Sequence, residues 1–325
     1  MMQFQDRVYG PCTISDELLV DIIQSDIMQR LSRINQHGPS THVFPQLTIT
    51  RLEHSVGVCL LLKRFKATRE EQAAGLLHDI GHTAFSHVGD TLFRHERQDY
   101  HESLQEERIR NSQLPRIFAR YGYSISDFLL DTKRFTLLDR DVPALCCDRF
   151  DYFLRDWKAF YHTDKTAYLR WISVEDGELY FTNRMEAKKC CQDFLRIDKG
   201  LWGMSATSAA TYKILADCLR LALEQDLITR YDLETGDDAS LLTKLKQSNN
   251  LKITVLLNAL KPGFQAEHNE KVFDYVLPGH ARWLDPKVRV NGLLKPLSTV
   301  DASVKNLIGE HLAAEEKGLY VKIMS

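Results

Sequence analysis

Eight of the 12 histidines of the chain fall between positions 37 and 101: His37, His42, His54, His78, His82, His87, His95 and His101. Imidazoles crowded in this way suit metal ligation or proton transfer. A divalent ion needs several deprotonated N or O ligands converging from separate elements, so acidic companions decide between the two. Two segments supply them. In Leu76-Leu77-His78-Asp79-Ile80-Gly81-His82 an apolar helix delivers an imidazole and a carboxylate side by side at its C-terminal end. In Cys147-Asp148-Arg149-Phe150-Asp151-Tyr152 a carboxylate sits among residues that otherwise read as core. One such histidine alone reads as a hydrogen-bonded core residue. An unpaired carboxylate in an apolar setting is costly, however, and a cation is its natural partner. Arg51, three residues before His54, can share its helix face. Asp148, Tyr152 and Asp156 recur at i, i+4 and i+8 on a stripe where a core face would carry Leu or Ile.

Helices must position these groups. Apolar periodicity predicts helices over 18–36, 51–65 and 70–80, the first stopped by His37-Gly38-Pro39 and the third by Gly81. Asp141 ahead of Val142-Pro143 predicts a helix start running through Trp157. Asp176-Gly177 between 172–174 and 179–181 predicts a β-hairpin. Helical spacing returns over 187–228, followed by a helix after Asp237-Asp238, an extended 288–290, a helix over 304–315 and a terminal strand at 319–323. The expected organisation is a helical core over 1–228 with a smaller mixed α/β region, 229–325, packed on it.

Composition narrows the class. The 325 residues carry 42 Lys+Arg against 44 Asp+Glu, 44% hydrophobic and 26% charged, as in an ordinary globular domain. A net charge of −2 removes the simple electrostatic case for a nucleic-acid or membrane-surface binder. The seven cysteines are odd in number and lack a CxxC spacing, which reads as reduced, buried thiols. No stretch reaches ~18 apolar residues and the N-terminus lacks a signal pattern, so a soluble, cytoplasmic protein is expected, or a nuclear one in a cell with a nucleus.

Three segments in order, Arg51-Leu-Glu-His54-Ser, His78-Asp79-Ile-Gly-His82-Thr-Ala-Phe-Ser86-His87 and Asp148-Arg-Phe-Asp-Tyr152-Phe-Leu-Arg-Asp156, resemble the H…HD…D signature of the HD-domain phosphohydrolases. Their flanks are closest to the deoxynucleoside triphosphate triphosphohydrolase branch. The resemblance implies a mainly α fold, an HD-domain helical core with a small α+β C-terminal portion. It also implies one divalent metal (Mn, Fe, Mg, Zn or Ni) held by His54, His78, Asp79 and Asp148. His101 resembles the catalytic acid and Asp90 the carboxylate that orients it, while His82 and His87 resemble residues lining the phosphate path. Arg51 and Arg149 are similar to phosphate-gripping arginines, Tyr152 and Asp156 to residues that hold the sugar, and Gln36, at its helix end, to one contacting the 3′-hydroxyl. A nucleotide substrate, cleaved at the α-phosphorus to nucleoside and triphosphate, and a homo-oligomer follow from the same resemblance.

The pattern breaks in Arg196-Ile-Asp-Lys199-Gly-Leu-Trp202-Gly-Met-Ser-Ala-Thr207-Ser-Ala-Ala-Thr-Tyr212, which lacks the histidine of the branch's outer-phosphate segment. This leaves open a phosphomonoesterase or phosphodiesterase acting on a smaller or modified nucleotide. A silent nucleotide sensor or assembly subunit that retains the pocket is the non-enzymatic alternative.

Overall fold

A computed structural model describes residues 1–93, 95, 99–129, 131 and 133–324. The chain is mainly helical and forms two compact units, each assembled from separated stretches: residues 1–131 with 211–264, and residues 132–210 with 265–325. The boundary expected after residue 228 falls within the second stretch of the first unit, and the division itself falls inside helix Ala206–Glu224.

The first unit opens with an antiparallel hairpin, Met2–Asp6 with Gly10–Ile14, whose turn is held by the Asp6 carboxylate accepting the Val8 and Tyr9 N–H groups. The expected helix over 18–36 is broken. Glu17–Gln24, capped by Asp16, ends at Ser25 in extended backbone, and Asp26–Arg30 follows. The apolar rhythm survives the break because Leu18, Ile22, Met28, Leu31 and Ile34 all enter one core with Leu76, Leu77, Ile80 and Phe118. Helix Arg51–Arg64 starts on a Thr50 cap and packs on Arg69–Leu77. That second helix stops at Leu77, earlier than expected, and the chain tightens through i to i+3 bonds from Ile80 N–H to Leu77 O (3.1 Å) and from His82 N–H to Asp79 O (3.0 Å). Ile80 is still core, so apolar spacing cannot register the change of turn.

In the second unit, helix Cys147–Tyr161 begins six residues after the expected Asp141. The carbonyls of Leu137 and Leu138 accept the Cys147 and Asp148 N–H groups and so satisfy donors that a helix start leaves open. The hairpin Ile172–Glu175 with Glu178–Phe181 forms as expected and extends through Lys287–Val290 and Leu293–Pro296 into a four-stranded sheet. A second sheet places the terminal strand Leu319–Ile323 between Ala266–His268 and Tyr275–Leu277. The run expected over 187–228 is two helices, Arg184–Gly200 and Ala206–Glu224. No helix among the described residues is long and apolar enough to cross a membrane.

Candidate metal centre

In the first unit the centre is built around Asp79, 3% exposed. Its Oδ2 accepts from Arg51 Nη1 (2.9 Å) and lies 3.9 Å from His54 Nε2, while Oδ1 is 3.2 Å from His82 Nε2 and 3.5 Å from His78 Nε2. Arg51 and His54 sit in the first turn of their helix, on one face. His78 caps its helix, and its Nδ1 lies 2.8 Å from the Gly75 carbonyl. Donation there fixes the tautomer and leaves the Nε2 lone pair for a ligand. The His54 and His78 rings stand edge to face, 5.2 Å apart. Burial alone would push the Asp79 carboxyl up. The Arg51 guanidinium, with the imidazoles of His78 and His82, instead holds it well below the ordinary value, so the carboxylate is ionised and ready to ligate. Two imidazoles and a carboxylate make a mixed N/O donor set that fits a divalent ion.

Beside it stand three more imidazoles. His82 stacks on His101 (3.9 Å, 10° between planes), and His87 meets both edge-on. Their nitrogens lie within 4.8 Å of one another. Burial, reinforced by Arg51, drives His82 well below its usual pKa, and burial with the like charge of His87 pushes His101 down to about 3. Although His101 is partly exposed, its Nδ1 is buried and has no hydrogen-bond partner among the described residues. The expected pairing of Asp90 with His101 is replaced: Asp90 Oδ2 lies 3.0 Å from His87 Nδ1, and Oδ1 accepts the Tyr100 N–H. His87 and Asp90 are one turn apart at the start of helix Val88–Phe93, whereas His101 arrives on a different helix, Tyr100–Arg110.

Gln36 does not end a helix. It follows the 3-10 turn Leu31–Arg33 next to the Asn35–Thr50 bridge, with its buried Oε1 unsatisfied among the described residues. Spacing gave no hint of three supports. Ser86 accepts from Arg51 Nε (2.9 Å). Arg30 donates twice to the His82 carbonyl (3.0 Å). Asp238 accepts the N–H groups of both Asn35 and Phe85. These partners lie 35 to 203 residues apart in the chain, beyond any local periodicity.

Asp148, Arg149, Tyr152 and Asp156 belong to the second unit, on helix Cys147–Tyr161. Arg149 spends its guanidinium on the Ala144 and Arg140 carbonyls, which weakens its expected phosphate role. Asp156, 1% exposed, accepts from Trp202 Nε1 (2.8 Å), and Tyr152 meets the Trp202 ring edge-on at 5.1 Å.

The HD domain family model matches residues 51–156. The chain is 34% identical over 326 residues to the uncharacterized protein YdhJ of Bacillus subtilis, covering 99% of each. It is 41% identical over 319 residues to the metal-dependent phosphohydrolase cns2 of Cordyceps militaris, covering 90% of this chain and 86% of that one. The deoxynucleoside triphosphate triphosphohydrolase SAMHD1 of Mus musculus is 33% identical over 145 residues, 38% of this chain and 22% of the mouse protein. With the segments carrying His54, His78, Asp79 and Asp148 inside the matched region and two relatives aligned over most of their length, the chain belongs to the HD-domain superfamily of metal-dependent phosphohydrolases.

Proposed function

We propose that the protein hydrolyses nucleotides at a single divalent metal held by His54, His78, Asp79 and Asp148, cleaving a (deoxy)nucleoside triphosphate at the α-phosphorus to nucleoside and triphosphate. The observation that carries this reading is the two-sided Asp79 carboxylate, which faces Arg51 and His54 through one oxygen and His78 and His82 through the other. Asp148 joins the set on its place in the sequence motif.

A metal bound there supplies an acidified water and draws charge from the phosphoryl group. The remaining work falls to the chain. Arg51, braced by Asp79 and Ser86, holds a cation beside the ligands, where it can meet a phosphate oxygen. Asp90 orients His87 through Nδ1 and leaves Nε2 as the atom that can pass a proton to the leaving oxygen. His82 and His101, kept neutral by burial, take up positive charge most readily when a polyanion enters beside them. Tyr152, Asp156 and Gln36 are assigned to the sugar by resemblance.

A second reading, phosphomonoesterase or phosphodiesterase action on a smaller nucleotide, is favoured by the divergent segment from Arg196 to Tyr212. Incubating protein loaded with Mn, Mg, Fe or Ni with nucleoside mono-, di- and triphosphates, and resolving the products, separates the readings. Intact triphosphate supports the first and inorganic phosphate the second, and a panel left uncleaved under every metal sinks both. The resemblance also implies a homo-oligomer, which light scattering tests.

A further inference from the structure

Arg282, in the second unit between strands Tyr275–Leu277 and Lys287–Val290, has no place in the scheme above. Its guanidinium carbon lies 5.4 Å from the centre of the Tyr152 ring and 5.9 Å from that of Trp202. Among the described residues no carboxylate pairs with it, although Arg140, Arg155, Arg184 and Arg289 of the same unit each meet one. The guanidinium therefore lies over two aromatic rings set nearly at right angles, and its N–H groups make no hydrogen bond among the described residues.

The placement is held from beneath. Asp198, fully buried, accepts the Arg282 backbone N–H (3.1 Å) and the Gly203 N–H (3.1 Å) and lies 2.9 Å from His311 Nε2. One carboxylate thus clamps the chain at Arg282 and at the corner carrying Trp202. The approach at that corner is so close that a Cβ on Gly203 would stand 1.7 Å from the His280 carbonyl oxygen. Trp202 in turn bonds Asp156. Arg282, Trp202, Tyr152 and Asp156 form one constellation drawn from three distant stretches of chain. A half-buried guanidinium with no carboxylate within ion-pair distance among the described residues, set against two aromatic rings, is arranged to receive an anion.

We propose that Arg282 is a substrate-binding residue that takes a phosphate group of the nucleotide through its free N–H edge, supplying a contact that the divergent segment from Arg196 to Tyr212 lacks. This rests on the nucleotide phosphohydrolase reading. The test is equilibrium dialysis of the metal-stripped full chain against the four dNTPs, the four dNMPs and the matching deoxynucleosides. Arg282→Met keeps the stem on the rings and removes the charge; Arg282→Lys keeps a charge without the planar fork. The expected result is at least about tenfold weaker binding of the phosphate-bearing ligands by R282M, unchanged nucleoside binding, and partial recovery in R282K. Equal loss for nucleosides and nucleotides, or no loss at all, overturns the assignment of Arg282 while leaving the phosphohydrolase reading intact. If the wild type binds no nucleotide either metal-stripped or metal-loaded, the broader reading falls and this proposal falls with it. Should R282M fail to fold, R282K alone decides: phosphate-selective weakening supports the contact, and unchanged affinity overturns it.

Discussion

Gly81→Ala should impair metal binding and turnover together. Gly81 lies between Asp79 and His82, and a Cβ built there stands 1.9 Å from the His101 carbonyl oxygen, 2.8 Å from its carbon and 3.3 Å from the Gln105 nitrogen. All three are backbone atoms of helix Tyr100–Arg110, so no rotamer change relieves the clash. Restoring ordinary contact at 3.4 Å requires a shift of about 1.5 Å between the turn and that helix. The 3.9 Å stack of His82 on His101 lies across the same gap and cannot survive such a shift unchanged. Misplacing catalytic groups by about 1 Å costs on the order of 100-fold in rate, and overpacking a core costs about 1–3 kcal/mol. Asp79, two residues before Gly81, and His78, the cap that opens the same turn, move with it, so metal affinity should weaken together with a kcat fall of about 100-fold, while Tm drops by several degrees. The assays are metal content after dialysis, phosphohydrolase turnover and thermal unfolding. A G81A protein with wild-type kcat and Tm refutes the close approach on which the imidazole geometry depends.

Other expectations follow from charge and burial. Arg51→Gln leaves the burial of Asp79 unopposed by its strongest cation, so the carboxyl titrates higher and the acid edge of metal binding moves to higher pH; an unmoved edge in a metal titration across pH 5–8 counts against the pairing. His101, with a folded pKa of about 3 against roughly 6.5 for a free imidazole, contributes stability that is full above about pH 6.5 and is lost as pH falls toward 3. Denaturant titrations of metal-free protein should therefore show a steeper loss between pH 7 and 5 in the wild type than in His101→Gln, and equal slopes would contradict the burial. Asp151→Asn removes the carboxylate 2.7 Å from the fully buried Arg155 and should destabilise by a few kcal/mol, up to about 3–5 kcal/mol, in chemical unfolding. Replacing both partners by apolar residues should recover much of that loss.

The helical character of the HD segment was legible because its signals are local. Residue type and order singled out His54, His78 and Asp79, and apolar spacing placed helix Arg51–Arg64. Element ends were less legible. The break at Ser25 and the tightened turn after Leu77 leave the apolar pattern intact, because Met28 and Ile80 stay in the core on either geometry. The Asp176-Gly177 hairpin was readable from turn chemistry and the terminal strand was expected, but their partners in the sheets were not, since β pairing joins positions such as Phe181 and Val288 without a shared local signal.

By itself the sequence determined which side chains could ligate a metal and that a helical scaffold carries them, since residue chemistry and the 3.6-residue period are properties of short segments. Only the tertiary structure decided how those groups divide the work. It gave Asp90 to His87, turned both oxygens of Asp79 toward basic neighbours, engaged Arg149 with backbone carbonyls and set Arg282 against Tyr152. Each of these depends on a turn of a few ångströms or on a meeting of distant stretches, and both are set by packing rather than by periodicity.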